Sequence, residues 1–244
     1  MPKYLKPPIQ EAICQFEFAQ DEWGITTQGE LYSEFRTDYA GLPETRQELL
    51  QPPGGLQLVP VTRLVLKSAD SHQQMILSPG MISVHAVESY PGFDAFHETM
   101  RSAVGRYRKV CNPNGLQHVN LRYINRIEVP ADARDLSPWL QQAPRAVSSN
   151  TGFPSLFAHQ YTFPLPEGGW LFLNLATPKG QDESSEIRKV MLDMNAFFAR
   201  PENGPEWGDE MGFAKIRQLH EHLSDAFESS LTDLLKETYH VLTE

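Results

Sequence analysis

Two arginines, two asparagines and a tyrosine fall within one apolar-rich stretch, His118-Val-Asn-Leu-Arg-Tyr-Ile-Asn-Arg-Ile-Glu-Val129. The alternation of a β-strand puts Val119, Leu121, Tyr123, Asn125 and Ile127 on one face. It puts His118, Asn120, Arg122, Ile124, Arg126 and Glu128 on the other. Polar groups on so apolar a strand need partners. They form either a structural network or the floor of a binding site. Asp193 makes the matching demand, because it sits inside Val190-Met-Leu-Asp-Met194 and must find a cation. Arg122 or Arg126 can meet it through a bidentate guanidinium–carboxylate pair. Glu11 lies on the outward face of an N-terminal strand. Brought together, Glu11, Arg122, Arg126 and Asp193 would recognise an anion or a polar substrate; apart, they make salt bridges.

Other chemistries find less support. His220-Glu-His222 resembles a metal pair, but residues two apart on a helix point roughly 200° apart. The zinc pattern needs histidines four apart, so no metal and no cofactor is expected. His220 lies on a helical seam with Phe213, Ile216, Leu223, Phe227 and Leu234, where it is a partnered core histidine or a site residue. A Gly-x-Ser-x-Gly nucleophile elbow is absent from the sequence. Cys111 follows Arg108 and Lys109, yet a helix C-terminus opposes a lowered thiol pKa. His159, Tyr161 and Phe163 share a strand face, with Trp170 and Phe172 expected across a hairpin as an aromatic core or a docking surface. The candidate binding set is Glu11, Arg122, Tyr123, Asn125, Arg126, His159, Asp193 and His220.

The elements that must position these residues follow from periodicity. Ile9–Phe18 alternates, with Ala12, Cys14, Phe16 and Phe18 inward. Gln28–Tyr39 reads as a helix with Thr27 as a cap and Glu30 three residues on. The proline- and glycine-rich stretch Pro43–Gly55 reads as a loop. Strands are expected at Gln57–Lys67, Gln73–Leu77 and Met81–Glu88, the last two a hairpin through Ser78-Pro79-Gly80. A helix spans Phe93–Val110 and stops at Asn112-Pro-Asn-Gly115. After His118–Val129 comes a break, Pro130–Thr151, holding a short helical piece at Leu136–Gln142. Leu156–Phe163 and Trp170–Thr177 flank a turn, Gly180–Ser185 is a polar turn, Ile187–Phe198 is a strand, and a helix spans Phe213–Val241.

The order βαβββαβ then βββα, with hairpin connections, predicts an α+β fold of mostly antiparallel sheets with helices on one face. The two halves share a grammar that points to a duplication. The break sets subdomains at 1–135 and 136–244, an α+β part and a hairpin-plus-long-helix part, joined as one unit.

Composition bounds the function. The 244 residues carry a net charge of −10 and are 40% hydrophobic and 10% aromatic. Such a chain supports a core and lacks the basic footprint of nucleic-acid binders. Arg101, Arg106, Arg108 and Lys109 cluster at a helix end, where they suit the dipole. The two cysteines make no disulfide framework. No segment reaches the ~18 apolar residues of a membrane span, and the N-terminus lacks a signal-peptide core. A cytoplasmic protein without a membrane partner is expected.

Several motifs occur together: Tyr4-x-x-Pro7-Pro8-Ile9-x-Glu11-Ala12, Tyr90-Pro-Gly-Phe93, Leu121-Arg-Tyr-Ile-Asn-Arg-Ile127, Met191-Leu-Asp-Met-Asn195, and Leu219-His220 with Phe227-Glu228. This arrangement resembles a sporadically distributed bacterial family of about this length whose function is uncharacterised. The resemblance covers the whole chain and implies a complete single-family protein. Its patchy distribution implies genes that move horizontally, as in defence or toxin-associated loci. It carries over no catalytic residue.

These readings converge on a binding or interaction module that recognises a protein partner or an anionic small ligand; a homo-oligomer is open, and no feature of the chain demands one. The rival is an enzyme for a phosphorylated or nucleotide-like substrate, with a site around Arg122, Arg126 and His220. That rival requires the arginines and a histidine to converge in a cleft.

Overall fold

A computed structural model describes residues 3–4, 7–50, 59–133, 135–143, 156–178, 186–239 and 241–242. Strand β1 (Lys3–Tyr4) precedes β2 (Ile9–Gln20), in which Ala12, Cys14, Phe16 and Phe18 are buried and the intervening residues are half-exposed. Helix α1 (Thr27–Phe35) buries Leu31 and Phe35. Strands β3 (Glu44–Leu50), β4 (Val59–Lys67), β5 (Gln73–Ser78) and β6 (Met81–Val87) follow. Helix α2 (Phe93–Cys111) buries Phe96, Met100, Ala103, Val104 and Tyr107, the three- and four-residue spacing of one helical face. It ends at Asn112, whose φ of 41° is the left-handed cap that Asn tolerates.

Strand β7 (Asn114–Pro130) contains the polar stretch, and β8 (Ala158–Leu165), β9 (Gly169–Ala176) and β10 (Ile187–Ala199) complete the strands before α3 (Asp209–Ser230). Helix α4 (Asp233–Thr238) and β11 (Val241–Leu242) close the chain, β11 pairing with β1.

The large sheet has nine strands in the order β3-β4-β5-β6-β2-β7-β10-β9-β8. Read outward from the central β2, the order is β6, β5, β4, β3 on one side and β7, β10, β9, β8 on the other. Helix α2 follows β6 in the chain, and helix α3 follows β10. The fold is thus α+β and antiparallel.

The chain divides into two compact units: Met1–Gln10 with Arg122–Phe197 and Gln218–Glu244, and Glu11–Leu121 with Phe198–Arg217. In the second unit the buried face of β2 packs on both helices. Phe18 stacks on Tyr107 of α2 at 5.8 Å, and Phe16 meets Phe213 of α3 at 5.0 Å. Each such fully buried side chain contributes about 1.5–3 kcal/mol. Gly212 permits the approach of α3, because a Cβ there would stand 2.5 Å from Leu116 and 2.8 Å from Phe16.

Four expectations are corrected. Pro43–Gly55 is not all loop: Glu44–Leu50 forms β3, paired with β4, and residues 51–55 lie outside the described ones. Its polar sequence suits an exposed edge. Leu136–Gln142 forms turns, with Leu140 bridging Leu231. The last helix starts early, with Asp209 and Glu210 in its positive first turn, and stops at Ser230. Thr232 then accepts from Leu235 N and caps α4, which leaves Leu234 50% exposed and off the seam. Thr26, not Thr27, precedes α1, and its hydroxyl donates to Glu30 while Thr27 Oγ1 accepts from Gly24 N. The Gly180–Ser185 turn lies outside the described residues.

Candidate functional site

In β7 every second residue from Val119 to Val129 is buried, which places Tyr123 and Asn125 inward and Arg122 outward. Arg122 reaches the neighbouring strand β10. Its Nε donates to Asp193 Oδ1 at 2.7 Å and its Nη2 to Oδ2 at 2.7 Å. This is the bidentate pair that Asp193 demanded, with Arg122 as the partner. Alternation in β10 buries Leu192 and Met194 and turns Asp193 the other way. The side chains are 39% and 19% exposed. Two charge-assisted bonds from a planar fork fix the guanidinium in one orientation at the surface. Phe172 of β9 and Phe197 of β10 stack within the same unit at 5.9 Å. Arg126 stays out of the pair: it is exposed, and among the described residues its ion pair is with Glu128 at 3.4 Å, two residues along its own strand.

The inward face holds a different network. The Tyr123 hydroxyl lies 3.0 Å from His220 Nδ1 on α3, with the rings edge-to-face at 6.1 Å. Ser224 Oγ approaches the same nitrogen at 3.5 Å. Asn125 is 1% exposed, and its amide donates to Leu192 O at 3.1 Å, tying β7 to β10. Arg122 and His220 therefore lie on opposite faces of β7, and the structure does not bring them into one cleft.

Glu11 belongs to the other unit and meets a histidine that the sequence reading missed. His85 Nδ1 lies 2.8 Å from Glu11 Oε1, and His85 Nε2 lies 3.0 Å from Ser83 Oγ. The register of β2 on β6 sets Ile13 opposite His85, leaving Glu11 as the diagonal neighbour. The order hydroxyl–imidazole–carboxylate is that of a nucleophilic triad. Ser83, however, is 1% exposed, so the hydroxyl is closed to a substrate and the relay pins β6 to β2. A second carboxylate–imidazole pair, Glu17 with His118 at 3.0 Å, is more exposed. The hydrogen bond from His118 holds the Glu17 carboxyl below the usual range against the opposing effect of burial; Gln15 and Arg63 help.

The remaining candidates separate. His159 touches Phe157 and Tyr161 edge-on, and its Nδ1 is buried without a hydrogen-bond partner among the described residues. Tyr161 stacks on Phe163 as expected. The cross-hairpin ladder is corrected: the register pairs His159, Tyr161 and Phe163 with Leu175, Leu173 and Leu171. Trp170 and Phe172 oppose Pro164 and Thr162, on the other face. Cys111 is fully buried, and that burial pushes its thiol up to about 12, with Asp21 adding to the effect.

The basic cluster on α2 is neutralised. Arg101 pairs with Glu210, Arg106 with Asp38, Arg108 with Asp209 and Lys109 with Glu34. Among the described residues no group of three His, Cys, Asp or Glu could hold a metal ion. No described helix is long and apolar enough to cross a membrane. The models of known protein families give no match to the chain, and neither does any curated protein.

Proposed function

We propose that this protein is a binding module that recognises a protein partner or an anionic small ligand, with Arg122 at the centre of its recognition face. The observation that supports this reading is the bidentate Arg122–Asp193 pair. Its guanidinium is held rigid yet 39% exposed, on the face of β7 opposite the His220 contact. A preoriented arginine loses little side-chain entropy on binding, which is why arginine recurs among interface hot spots. The stacked Phe172 and Phe197 add a rigid aromatic element to the same unit. The resemblance to a sporadically distributed bacterial family fits a recognition role in mobile, defence-like gene contexts, inside the cytoplasm. The enzyme reading loses its main support, since Arg122 and His220 point apart.

The test is a thermal-shift panel of nucleotides, phosphorylated metabolites and carboxylates, run beside affinity capture, on the wild type and on Arg122→Ala. A ligand well above its Kd raises stability by RT ln(1 + [L]/Kd), about 2.7 kcal/mol at a hundredfold excess. The expected result is a ligand shift or a captured partner lost in a folded Arg122→Ala chain. Retention of every shift and partner by that variant rules the reading out.

A further inference from the structure

Among the described residues the nine-stranded sheet ends in β3 on one side and β8 on the other. An edge strand offers a row of backbone donors and acceptors to any other strand, and proteins guard such edges with charge. Strand β3 is guarded in this way: Glu44 and Arg46 are exposed and paired at 2.9 Å, and Lys67 of β4 reaches Glu44 at 2.6 Å. Strand β8, Ala-His-Gln-Tyr-Thr-Phe-Pro-Leu, has no Asp, Glu, Lys or Arg. None of its residues is buried. Phe163 is 48% exposed although its ring stacks on Tyr161. An uncharged, aromatic, solvent-facing edge is the feature that charge removes elsewhere in this sheet.

We infer that β8 is an association surface and pairs antiparallel with β8 of a second copy of this chain. The strand is complementary to itself. Pairing about a two-fold axis at Tyr161 sets His159 opposite Phe163 and Gln160 opposite Thr162, so rings meet rings and polar side chains meet polar side chains. No like charges meet there, although the chain carries a net −10 that opposes self-association over the rest of its surface. Pro164 falls opposite Ala158 at the end of the ladder, where a missing N–H removes one marginal bond. An extended segment of another protein would use the same edge; the self-complementary pattern selects the second copy.

Sedimentation equilibrium on the full chain tests this, with hydrogen exchange across Ala158–Leu165. The wild type is expected to be a dimer at micromolar concentration, with β8 amides that exchange faster on dilution. Gln160→Lys with Thr162→Lys places lysines opposite each other and should give a monomer with the wild-type circular dichroism spectrum. Gln160→Lys with Thr162→Glu sets opposite charges across the axis and should keep the dimer. A monomeric wild type overturns the inference, and so does a folded double-lysine variant that stays dimeric. Should the double-lysine chain fail to fold, concentration-independent exchange of the wild-type β8 amides overturns it as well.

Discussion

Arg122 and Tyr123 are neighbours in sequence and opposite in fate. Tyr123 is 4% exposed and spends its hydroxyl on His220, inside the packing of α3 against β7. Arg122 points the other way, spends its fork on Asp193 and keeps 39% of its side chain in solvent. Both are satisfied polar groups on one apolar strand. The difference is what surrounds them. A polar group enclosed by core can only support the fold, whereas one that is fixed but solvent-facing can still meet a ligand. The same contrast separates the two carboxylate–imidazole pairs of β2, since Glu11–His85 ends in a closed hydroxyl and Glu17–His118 faces water.

The contrast fixes a ranking of mutational effects. Tyr123→Ala removes a buried ring and its hydrogen bond, so we predict a loss of about 3–5 kcal/mol in urea denaturation. A loss below ~1 kcal/mol would place Tyr123 outside the core. Asn125→Ala should cost about 1–3 kcal/mol, because it leaves the Leu192 carbonyl without the amide donor that ties β7 to β10. A neutral result would show that the tie is dispensable. Arg122→Ala leaves a partly exposed Asp193 unpaired, and we expect at most about 1–2 kcal/mol together with the loss of binding. A collapse as large as that of Tyr123→Ala would make the pair structural. Arg126→Ala, whose ion pair among the described residues is with an exposed Glu128 on its own strand, should stay within about 0.5 kcal/mol.

A pH titration sharpens the comparison at a buried histidine. His97 is 2% exposed beside Phe213, and burial, then Arg217, hold its pKa below the ordinary value. The unfolded chain therefore takes up the proton first. Stability should fall as pH drops from about 6.5 toward the folded pKa, and level off below it. His97→Gln should flatten that slope. An unchanged slope would assign the acid sensitivity to another group.

How far the sequence reveals these features depends on range. Alternation is local, so the two faces of the β7 stretch and the hairpins around Ser78-Pro-Gly80 could be read directly. The need of Asp193 for a cation was equally legible, but choosing between Arg122 and Arg126 required the register of β10 on β7, which no local pattern encodes. His85 and Ser83 were hidden for the same reason. Met81–Val87 reads as plain apolar strand, and only pairing with β2 brings Glu11 to His85. A Ser-x-His alternation on a strand was the available signal. Strand β3 looked like a loop because an exposed edge carries polar residues between proline-rich flanks. Trp170 was placed on the wrong face because a slip of one residue in a hairpin exchanges its faces.

The most direct measurement compares binding by wild type, Arg122→Ala and Tyr123→Phe at matched concentration, with circular dichroism on each. Arg122→Ala is expected to keep the wild-type spectrum and lose the ligand shift or captured partner, while Tyr123→Phe keeps both and loses about 1 kcal/mol of stability. Full binding by Arg122→Ala would show that Arg122 is not the recognition residue, and so would loss of binding by a folded Tyr123→Phe.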